Sequence, residues 1–289
     1  MEAVAIQLFD GTIRGLIYVA IALSLTIVFG MLRLVNFAHG AFYAVGAYVA
    51  LFVSTKLGYF WGIPIALVVL ALIALFLDRS ILRLFYGKDP TSQILVTFGI
   101  ALVIQEGLRL LFGGTTQTPL TPSALMQSVP LGFISYPAIR LFVAGAIVVL
   151  VLVVWWILVG TNYGLIVRAG IRDRTMVALL GGNVAVASRV VLVVGSGIAG
   201  LVGALASPIY GVDPNTGFNF LVPSFVVVVI GGLGSFWGAV IAGILVGILQ
   251  GLTTLVVPSA SDVVIYLAMA LILLVRPQGL MGESELIKQ

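Results

Sequence analysis

The chain has no cysteine and little charge. Without cysteine it cannot form a disulfide framework, a cysteine-ligated metal site or a thiol nucleophile. Charged residues make up 8% of the 289 positions, whereas soluble domains carry about 25% because their surface faces water. A surface so poor in charge predicts a protein that faces lipid.

Residues that carry out catalysis are also scarce. His39 is the single histidine, and neither paired acids nor a metal-ligand spacing is visible on an apolar run. The only Gly-Lys pair, Gly87-Lys88, is followed by Asp89, so the chain lacks a phosphate loop for ATP. The stretch Gly195–Gly200 matches GxGxxG, but it lies inside an apolar run rather than after a strand. We therefore expect no enzymatic activity, no catalytic residue and no metal or cofactor bound by this chain.

Hydrophobic sequence is abundant instead, at 61% of the residues. The runs are continuous rather than alternating, which favours helices over a barrel in lipid. We predict one transmembrane domain over residues 1–289, an all-α bundle of eight to nine spans of ~20 residues each. Segment 220–232 is short, and it either crosses as a ninth span or is a re-entrant or discontinuous helix. The runs lie near residues 11–31, 37–54, 60–77, 93–113, 140–160, 189–210, 220–232, 236–257 and 262–275.

The distribution of basic residues predicts the orientation. Basic residues cluster in three regions, whereas residues 114–138 carry no charge. The positive-inside rule places the three basic regions, and with them the C-terminus, in the cytoplasm. The N-terminus is then outside if all nine segments cross, and inside if one early segment is re-entrant. The basic residues are Arg79, Arg83, Lys88, Arg168, Arg172, Arg174, Arg189, Arg276 and Lys288.

The start of the chain and its net charge fit the same interpretation. Residues 1–10 contain Glu2 and Asp10 but no basic residue, unlike a cleavable signal peptide, so we expect the first run to remain as a span. The formal charge of +4 is explained by cytoplasmic loops and does not indicate nucleic-acid binding.

Polar residues at membrane depth are candidates for a transport pathway, because burying them in lipid is costly. Asn36 and His39 begin the second run; His39 is either a helix cap or a gating or substrate residue. Gln105 and Glu106 lie late in the fourth run. Glu106 and Arg109 have the spacing of a helical ion pair, which is either structural or part of the pathway. A further polar residue in an apolar run is Gln250.

Two rows of small residues predict close packing between helices. The first consists of Gly195, Gly200 and Gly203, and the second of Gly243, Gly247 and Gly251 at strict four-residue spacing.

The basic loop 161–188 contains the pattern of a short amphipathic helix. Asp173 is placed as its N-cap, Met176, Leu179 and Leu180 share one face, and Gly181 provides a stop. Such a helix either rests on lipid headgroups or presents its apolar face to a groove in a soluble partner.

This loop resembles the cytoplasmic coupling loop of bacterial branched-chain amino acid ABC permeases. Three further blocks resemble the same family, at Leu34–Phe42, Gly231–Ala239 and Arg276–Leu280, so the likeness runs along the whole chain and indicates the shorter of two permease subunit types. Gly182 and Val177 depart from the pattern, where an apolar residue and alanine are expected. The matching residues in the loop are Arg168, Ala169, Asp173, Met176, Ala178, Leu180 and Gly181.

The resemblance implies a subunit of an importer in the bacterial inner membrane. Its partners are a second homologous permease, two cytoplasmic ATPases that bind ATP, and an extracytoplasmic solute-binding protein. The implied substrates are branched-chain or other small polar amino acids, with urea or short amides as the alternative. A different alternative for the function is a secondary transporter that acts alone. The implied coupling residues are those listed above together with Arg172 and Leu179. The pathway candidates are Asn36, His39, Gly40, Gln105, Glu106, Gly232, Gly234 and Ser235.

Overall fold

The computed structural model describes residues 2–130, 132 and 134–282 of the chain. Within them the fold is almost entirely helical. Lys288, which the orientation prediction includes, lies outside the described residues. The helices are α1 (Glu2–Leu32), α2 (Ala38–Ser54), α3 (Tyr59–Ser80), α4 (Pro90–Phe112), α5 (Ser123–Met126), α6 (Ala138–Gly160), α7 (Asn162–Arg172), α8 (Arg174–Leu179), α9 (Val184–Tyr210), α10 (Thr216–Gly231), α11 (Phe236–Val256) and α12 (Val263–Val275), with 3₁₀ turns at Leu82–Phe85 and Pro258–Ala260.

A small hairpin departs from the predicted all-α fold. Strands β1 (Ser128–Pro130) and β2 (Ser135–Pro137) pair antiparallel, with Val129 opposite Tyr136. They lie in the uncharged stretch between α4 and α6, outside the apolar helices. The chain is therefore a helical membrane protein with one short hairpin.

Six of the described helices are long and apolar enough to cross a membrane, namely α1, α3, α4, α6, α9 and α11, while α2, α10 and α12 are apolar but shorter. A multi-pass helical protein is thus confirmed, and the count of eight to nine spans stays a prediction. Helices α1 and α9 are mostly buried, whereas α3, α4 and α6 are mostly exposed. The exposed helices present apolar surface on the outside, as a lipid-facing wall requires.

The row of glycines on α11 packs directly onto α1. A Cβ added to Gly15 would lie 2.7 Å from the carbonyl oxygen of Gly243, and one added to Gly11 would lie 2.7 Å from that of Gly247. A Cβ on Gly251 would lie 2.5 Å from the carbonyl oxygen of Gln7. The glycines of α11 thus lie against a partner row, Gly11 and Gly15, on the first helix.

The row on α9 packs in the same way. Gly200 contacts the backbone of Gly46, and Gly203 contacts the carbonyl oxygen of Tyr43, so α2 lies against α9 backbone to backbone. A Cβ on Gly195 would lie 2.6 Å from Cγ2 of Val28 on α1. These contacts make α9 the centre of the bundle.

Helix α10 is the predicted short segment, although its bounds differ. It begins at Thr216 rather than 220 and contains Pro223 in its interior. Its 16 residues span ~24 Å, less than the ~30 Å of a hydrocarbon core. The residues before it return into the bundle, because buried Val212 exchanges backbone hydrogen bonds of 2.7 and 2.9 Å with Gln117. Gly217 at the start of α10 then contacts the backbone of Gly40.

Candidate functional site

The break between α1 and α2 holds the first group of pathway candidates. The backbone N–H of Phe37 donates to the hydroxyl of Thr97 on α4, 3.2 Å away, so the break is tied to a neighbouring helix. The Asn36 side chain accepts from the N–H of Ala38 at 3.1 Å, and its buried amide nitrogen has no partner. A donor without a partner inside the protein is available to a solute or water.

His39 is buried inside the bundle and does not cap α2, whose N-cap is Phe37; that alternative is wrong. The ring nitrogen Nε2 lies 2.7 Å from Oγ of Ser24 on α1, and this hydroxyl donates to the carbonyl of Ile21 at 2.7 Å. Nε2 is then the donor toward Ser24, and Nδ1 is a buried acceptor without a partner. Gly195 on α9 lies beside the ring, since a Cβ there would make an ordinary contact of 4.0 Å with the ring carbon Cε1.

A cavity of about 190 Å³ lies beside this break, between α1 and α10. Its wall is apolar, with Phe29, Leu221 and Phe225 among the lining residues, and Asn36 is the polar side chain that lines it. It is smaller than the ~300–1,000 Å³ typical of ligand pockets. A small solute with an apolar side chain fits such a site.

Gln105 and Glu106 lie elsewhere and do not line this cavity. The Gln105 amide donates to Asn215 at 2.6 Å, in the segment before α10. Glu106 and Arg109 form the predicted ion pair at 3.0 Å, with both side chains about half exposed. An exposed pair of this kind contributes little to stability. The pathway candidates therefore do not converge on one site.

A polar cluster that the sequence reasoning did not identify surrounds Arg14 of α1. Its guanidinium carbon lies 5.9 Å from the ring centre of Tyr210, at the end of α9. Arg14 stands ~26 Å along α1 from Met31, at the opposite end of the bundle from α7 and α8. An arginine in an apolar run was the available signal, since an intramembrane charge is by default a functional candidate.

The same cluster contains an acid on the neighbouring helices. The Tyr18 hydroxyl donates to Oε1 of Gln250 at 3.0 Å, and the Gln250 amide donates to Asp262 at 2.8 Å. Asp262 thus shares this cluster with Tyr18, one turn after Arg14 on α1. The hydroxyl of Tyr43, on a ring stacked against Phe220, is buried without a partner. One cation, one anion and a free hydroxyl thus occur close together.

At the other end of the bundle, the predicted amphipathic helix is α8. Asp173 is its N-cap and accepts from the N–H of Met176 at 2.9 Å. Met176, Leu179 and Leu180 are 53%, 78% and 81% exposed. The helix ends just before Gly181, whose φ is +82°. The structure thus has a capped helix at this place with exposed apolar residues, and its role in coupling stays a prediction.

Helix α7 was not expected within the loop. It begins after the N-cap Thr161, whose hydroxyl accepts from the N–H of Gly164, and it joins α8 at Asp173. We call residues 161–182 the α7–α8 segment. Gly170 packs on the Met31 sulfur, 2.6 Å from where its Cβ would lie. The remaining predicted coupling residues, Arg168, Ala169, Arg172 and Ala178, lie on this segment.

Ile171 connects the α7–α8 segment to two other parts of the bundle. Its side chain lies 3.1 Å from the Cβ position of Gly30 on α1 and 3.8 Å from that of Gly234, in the α10–α11 turn. Ser235 caps α11 by accepting from the N–H of Gly238 at 3.1 Å. Ile171 of α7 therefore lies beside both α1 and this turn.

The glycine-rich turn also contacts the residues that follow α12. Gly232, with φ +97°, and Gly279, with φ +80°, meet backbone to backbone, where a Cβ on Gly279 would lie 2.7 Å from N of Gly232. The N–H groups of Leu280 and Met281 donate to the carbonyls of the last two residues of α10, at 2.8 and 3.1 Å. Gly232, Gly234 and Ser235 thus belong to this junction, and the cavity beside Asn36 is not lined by them.

Gly182 and Val177, the two loop residues that depart from the family pattern, lie close to each other in the structure. A Cβ on Gly182 would lie 2.6 Å from Cγ1 of Val177 and 2.9 Å from its carbonyl oxygen. Val177 is buried and occupies the space that a side chain at 182 requires. The larger residue at 177 and the glycine at 182 therefore compensate for each other.

A buried ion pair fixes the neighbouring end of α9. Asp78 of α3 is 1% exposed and accepts from Nε of Arg189 at 2.9 Å and from the Tyr86 hydroxyl. Burial, then the hydrogen bond from its hydroxyl to Asp78, raises the pKa of Tyr86 above its ordinary value. This network was not predicted, because its residues are distant in sequence. Among residues 2–130, 132 and 134–282, no group of three or more acids and histidines could hold a metal.

Comparison with known proteins identifies the family. Residues 7–274 match the family described as the permease component of the branched-chain amino acid transport system. The high-affinity branched-chain amino acid transport permease LivH of Salmonella typhimurium is 29% identical over 98% of this chain and 96% of its own. The corresponding BraD of Pseudomonas aeruginosa is 28% identical over 98% and 97%.

A more distant relative is the probable branched-chain amino acid permease LivH of Methanocaldococcus jannaschii, 26% identical over 91% of this chain and 88% of its own. No solved structure gives a significant match. The resemblance carried by the four sequence blocks is confirmed, and the chain belongs to the family of branched-chain amino acid transport permeases.

Proposed function

We propose that this chain is the membrane permease of an ATP-driven importer for branched-chain or other small amino acids. It forms half of the pathway beside a second, homologous permease, takes solute from an extracytoplasmic binding protein and is driven by two cytoplasmic ATPases. The substrate class is supported by the relatives, which are described as branched-chain amino acid permeases. The chain itself binds no cofactor in this proposal, since ATP is held by the partner subunits.

The observation that carries the proposal is the exposed apolar face of α8. Leu179, at the end of α8, and its C-cap Leu180 stay largely exposed among the residues that the structure describes. An apolar helix face of this kind fits a groove in a partner, and Ile171 links the segment to α1 and the α10–α11 turn. The segment thus combines a docking surface with a mechanical connection to the helices, as coupling to an ATPase requires.

Basic residues at the α7–α8 end of the molecule indicate its orientation in the membrane. The basic residues of the α7–α8 segment and of the turn before α4 lie together at one end, near the last residues of α12. In our proposal this end is cytoplasmic and the Arg14 end is extracytoplasmic. The N-terminus is then outside, which agrees with nine crossings.

The Arg14 cluster supports a zwitterionic substrate. A guanidinium binds a carboxylate through charge-assisted hydrogen bonds, and Asp262 offers an anion for an ammonium group. An amino acid arriving at this end meets both charges, and the separate apolar cavity beside Asn36, nearer the other end of α1, suits its aliphatic side chain at a later step. Urea and short amides carry neither charge and gain nothing from the pair.

The test is transport by the reconstituted importer. The chain, its partner permease and the ATPases are placed in proteoliposomes with the binding protein, and uptake of labelled leucine is measured with and without ATP. Leu179→Asp with Leu180→Asp should reduce both ATPase binding and uptake at least tenfold, because a charge enters a buried contact. The matched control is Leu84→Asp, an exposed leucine at the same end, which should transport normally.

Two outcomes contradict the proposal. Leucine uptake by the chain alone, independent of ATP, indicates a stand-alone transporter. Unchanged uptake and ATPase binding by the Leu179 and Leu180 variant removes the coupling role from α8.

A further inference from the structure

An open cavity of about 660 Å³ lies where α1 ends, between the turn before α4 and the α7–α8 segment. Arg33, Lys88, Arg172 and Arg174 line it. Asp173 is the acid in this lining, and its carboxylate already accepts from the N–H of Met176 as the cap of α8. The wall is therefore strongly positive.

The cations are held close together. Arg174 donates to Oγ of Ser188 at 3.0 Å, which fixes its guanidinium. Burial, then the positive charge of Arg33, lowers the pKa of Arg174 below its ordinary value. Like charges that are partly removed from water repel each other, and an anion between them relieves this repulsion.

Arg33 lies in a left-handed backbone conformation that is strained for a residue with a side chain. Arg33 is the described non-glycine residue with positive φ, at +51°, and its N–H closes α1 by donating to the carbonyl of Phe29 at 2.7 Å. Glycine is the usual residue at this left-handed position after a helix. An arginine here accepts backbone strain while placing a cation in the cavity, which points to a role at that site.

The position of the cavity indicates the source of an anion. Leu32, the last residue of α1, and Pro90, the first residue of α4, both line it. Both residues end apolar helices, so the cavity lies at the level of the lipid headgroups. Clusters of basic residues at this level attract anionic lipids.

We propose that this cavity binds a phosphate-ester anion, supplied by the headgroup of an anionic phospholipid. A bound phosphate joins Arg33 at the end of α1 to Arg174 at the start of α8, and so holds the α7–α8 segment against the bundle. The proposal adds a ligand that amino acid transport does not itself require. A free nucleotide or inorganic phosphate offers the same chemistry, and the experiment separates these sources.

The test uses the full chain in nanodiscs of phosphatidylcholine, alone or mixed with phosphatidylglycerol. After mild delipidation, native mass spectrometry counts the retained phosphatidylglycerol. Arg33→Gln with Arg174→Gln should weaken retention roughly 25-fold, about fivefold for each arginine near the surface. Arg83→Gln, an exposed arginine at the same end that does not line the cavity, should retain lipid like the unchanged chain.

Two further measurements keep the result interpretable. Arg33→Lys with Arg174→Lys keeps both charges and should retain most of the lipid, and thermal unfolding shows whether each variant is folded. In a second arm, inorganic phosphate and ATP are titrated into phosphatidylcholine nanodiscs by calorimetry. If the unchanged chain binds phosphate but retains no lipid, and the glutamine variant loses phosphate binding, the anion site is supported and the lipid source is overturned. Equal lipid retention by folded glutamine and unchanged chains, with no phosphate binding by either, overturns the proposal.

Discussion

Replacing Gly182 with alanine places one methyl group 2.6 Å from Cγ1 of Val177 and 2.9 Å from its carbonyl oxygen. Overpacking at such a contact costs ~1–3 kcal/mol, partly offset by the ~0.4–1 kcal/mol that alanine gains over glycine through the unfolded chain. The net loss of ~1–2 kcal/mol falls on α8, because residue 177 is in this short helix. Local opening should therefore become ~5–30-fold more frequent.

Hydrogen exchange of the α8 amides measures this opening directly. In a Val177→Ala background the 2.6 Å contact is gone and only the carbonyl contact remains. Gly182→Ala should then accelerate exchange less than in the unchanged chain, although the carbonyl contact keeps part of the cost, which gives a coupling of ~1 kcal/mol between the two positions. The control is Gly181→Ala, where φ is +82° but no atom lies within 4 Å of the added Cβ. Its cost arises from the backbone and should be the same in both backgrounds. Equal acceleration by Gly182→Ala in both backgrounds refutes the compensation.

Three other predictions use the same reasoning. Gly247→Leu should lower the unfolding temperature in detergent, because α1 lies against the backbone of Gly247. Gly99→Leu, with open space around it, should not, and equal unfolding temperatures of the two variants refute the packing. Asp78→Ala should lower stability by ~1–3 kcal/mol by leaving a partly buried guanidinium without its acceptor, and an unchanged denaturation midpoint would contradict this. Arg14→Gln should raise the KM for leucine uptake at least tenfold, since a charged hydrogen bond is lost, whereas Arg109→Gln, in an exposed pair, should not; similar KM values exclude carboxylate recognition.

The sequence predicted best what depends on local pattern. Asp173 as a cap, the exposed face with Leu179, and the glycine row ending at Gly251 all follow from spacing within a few residues. Helix α7 was missed because Gly164 and Gly170 lie within it and weaken its intrinsic helical propensity. Its stability comes from packing against α1, which local spacing does not show.

The unpredicted polar groups depend on distant partners. Asp78 and Arg189 are 111 positions apart, and His39 reaches a hydroxyl on another helix, so neither environment could be derived from neighbouring residues. Asp78 directly follows the apolar run 60–77 and gave no indication of its partner. The pathway candidates shared only membrane depth, which explains why they occupy separate places in the fold.

The contact between α1 and α11 has a consequence for motion. Gly11, Gly15, Gly243 and Gly247 meet through backbone atoms, so at these four positions no side chain of their own can change rotamer to accommodate sliding. Any relative shift would have to overcome backbone overlap. We expect the two helices to move as one rigid body during a transport cycle, which leaves the opening and closing of the pathway to the helices that pack through flexible side chains.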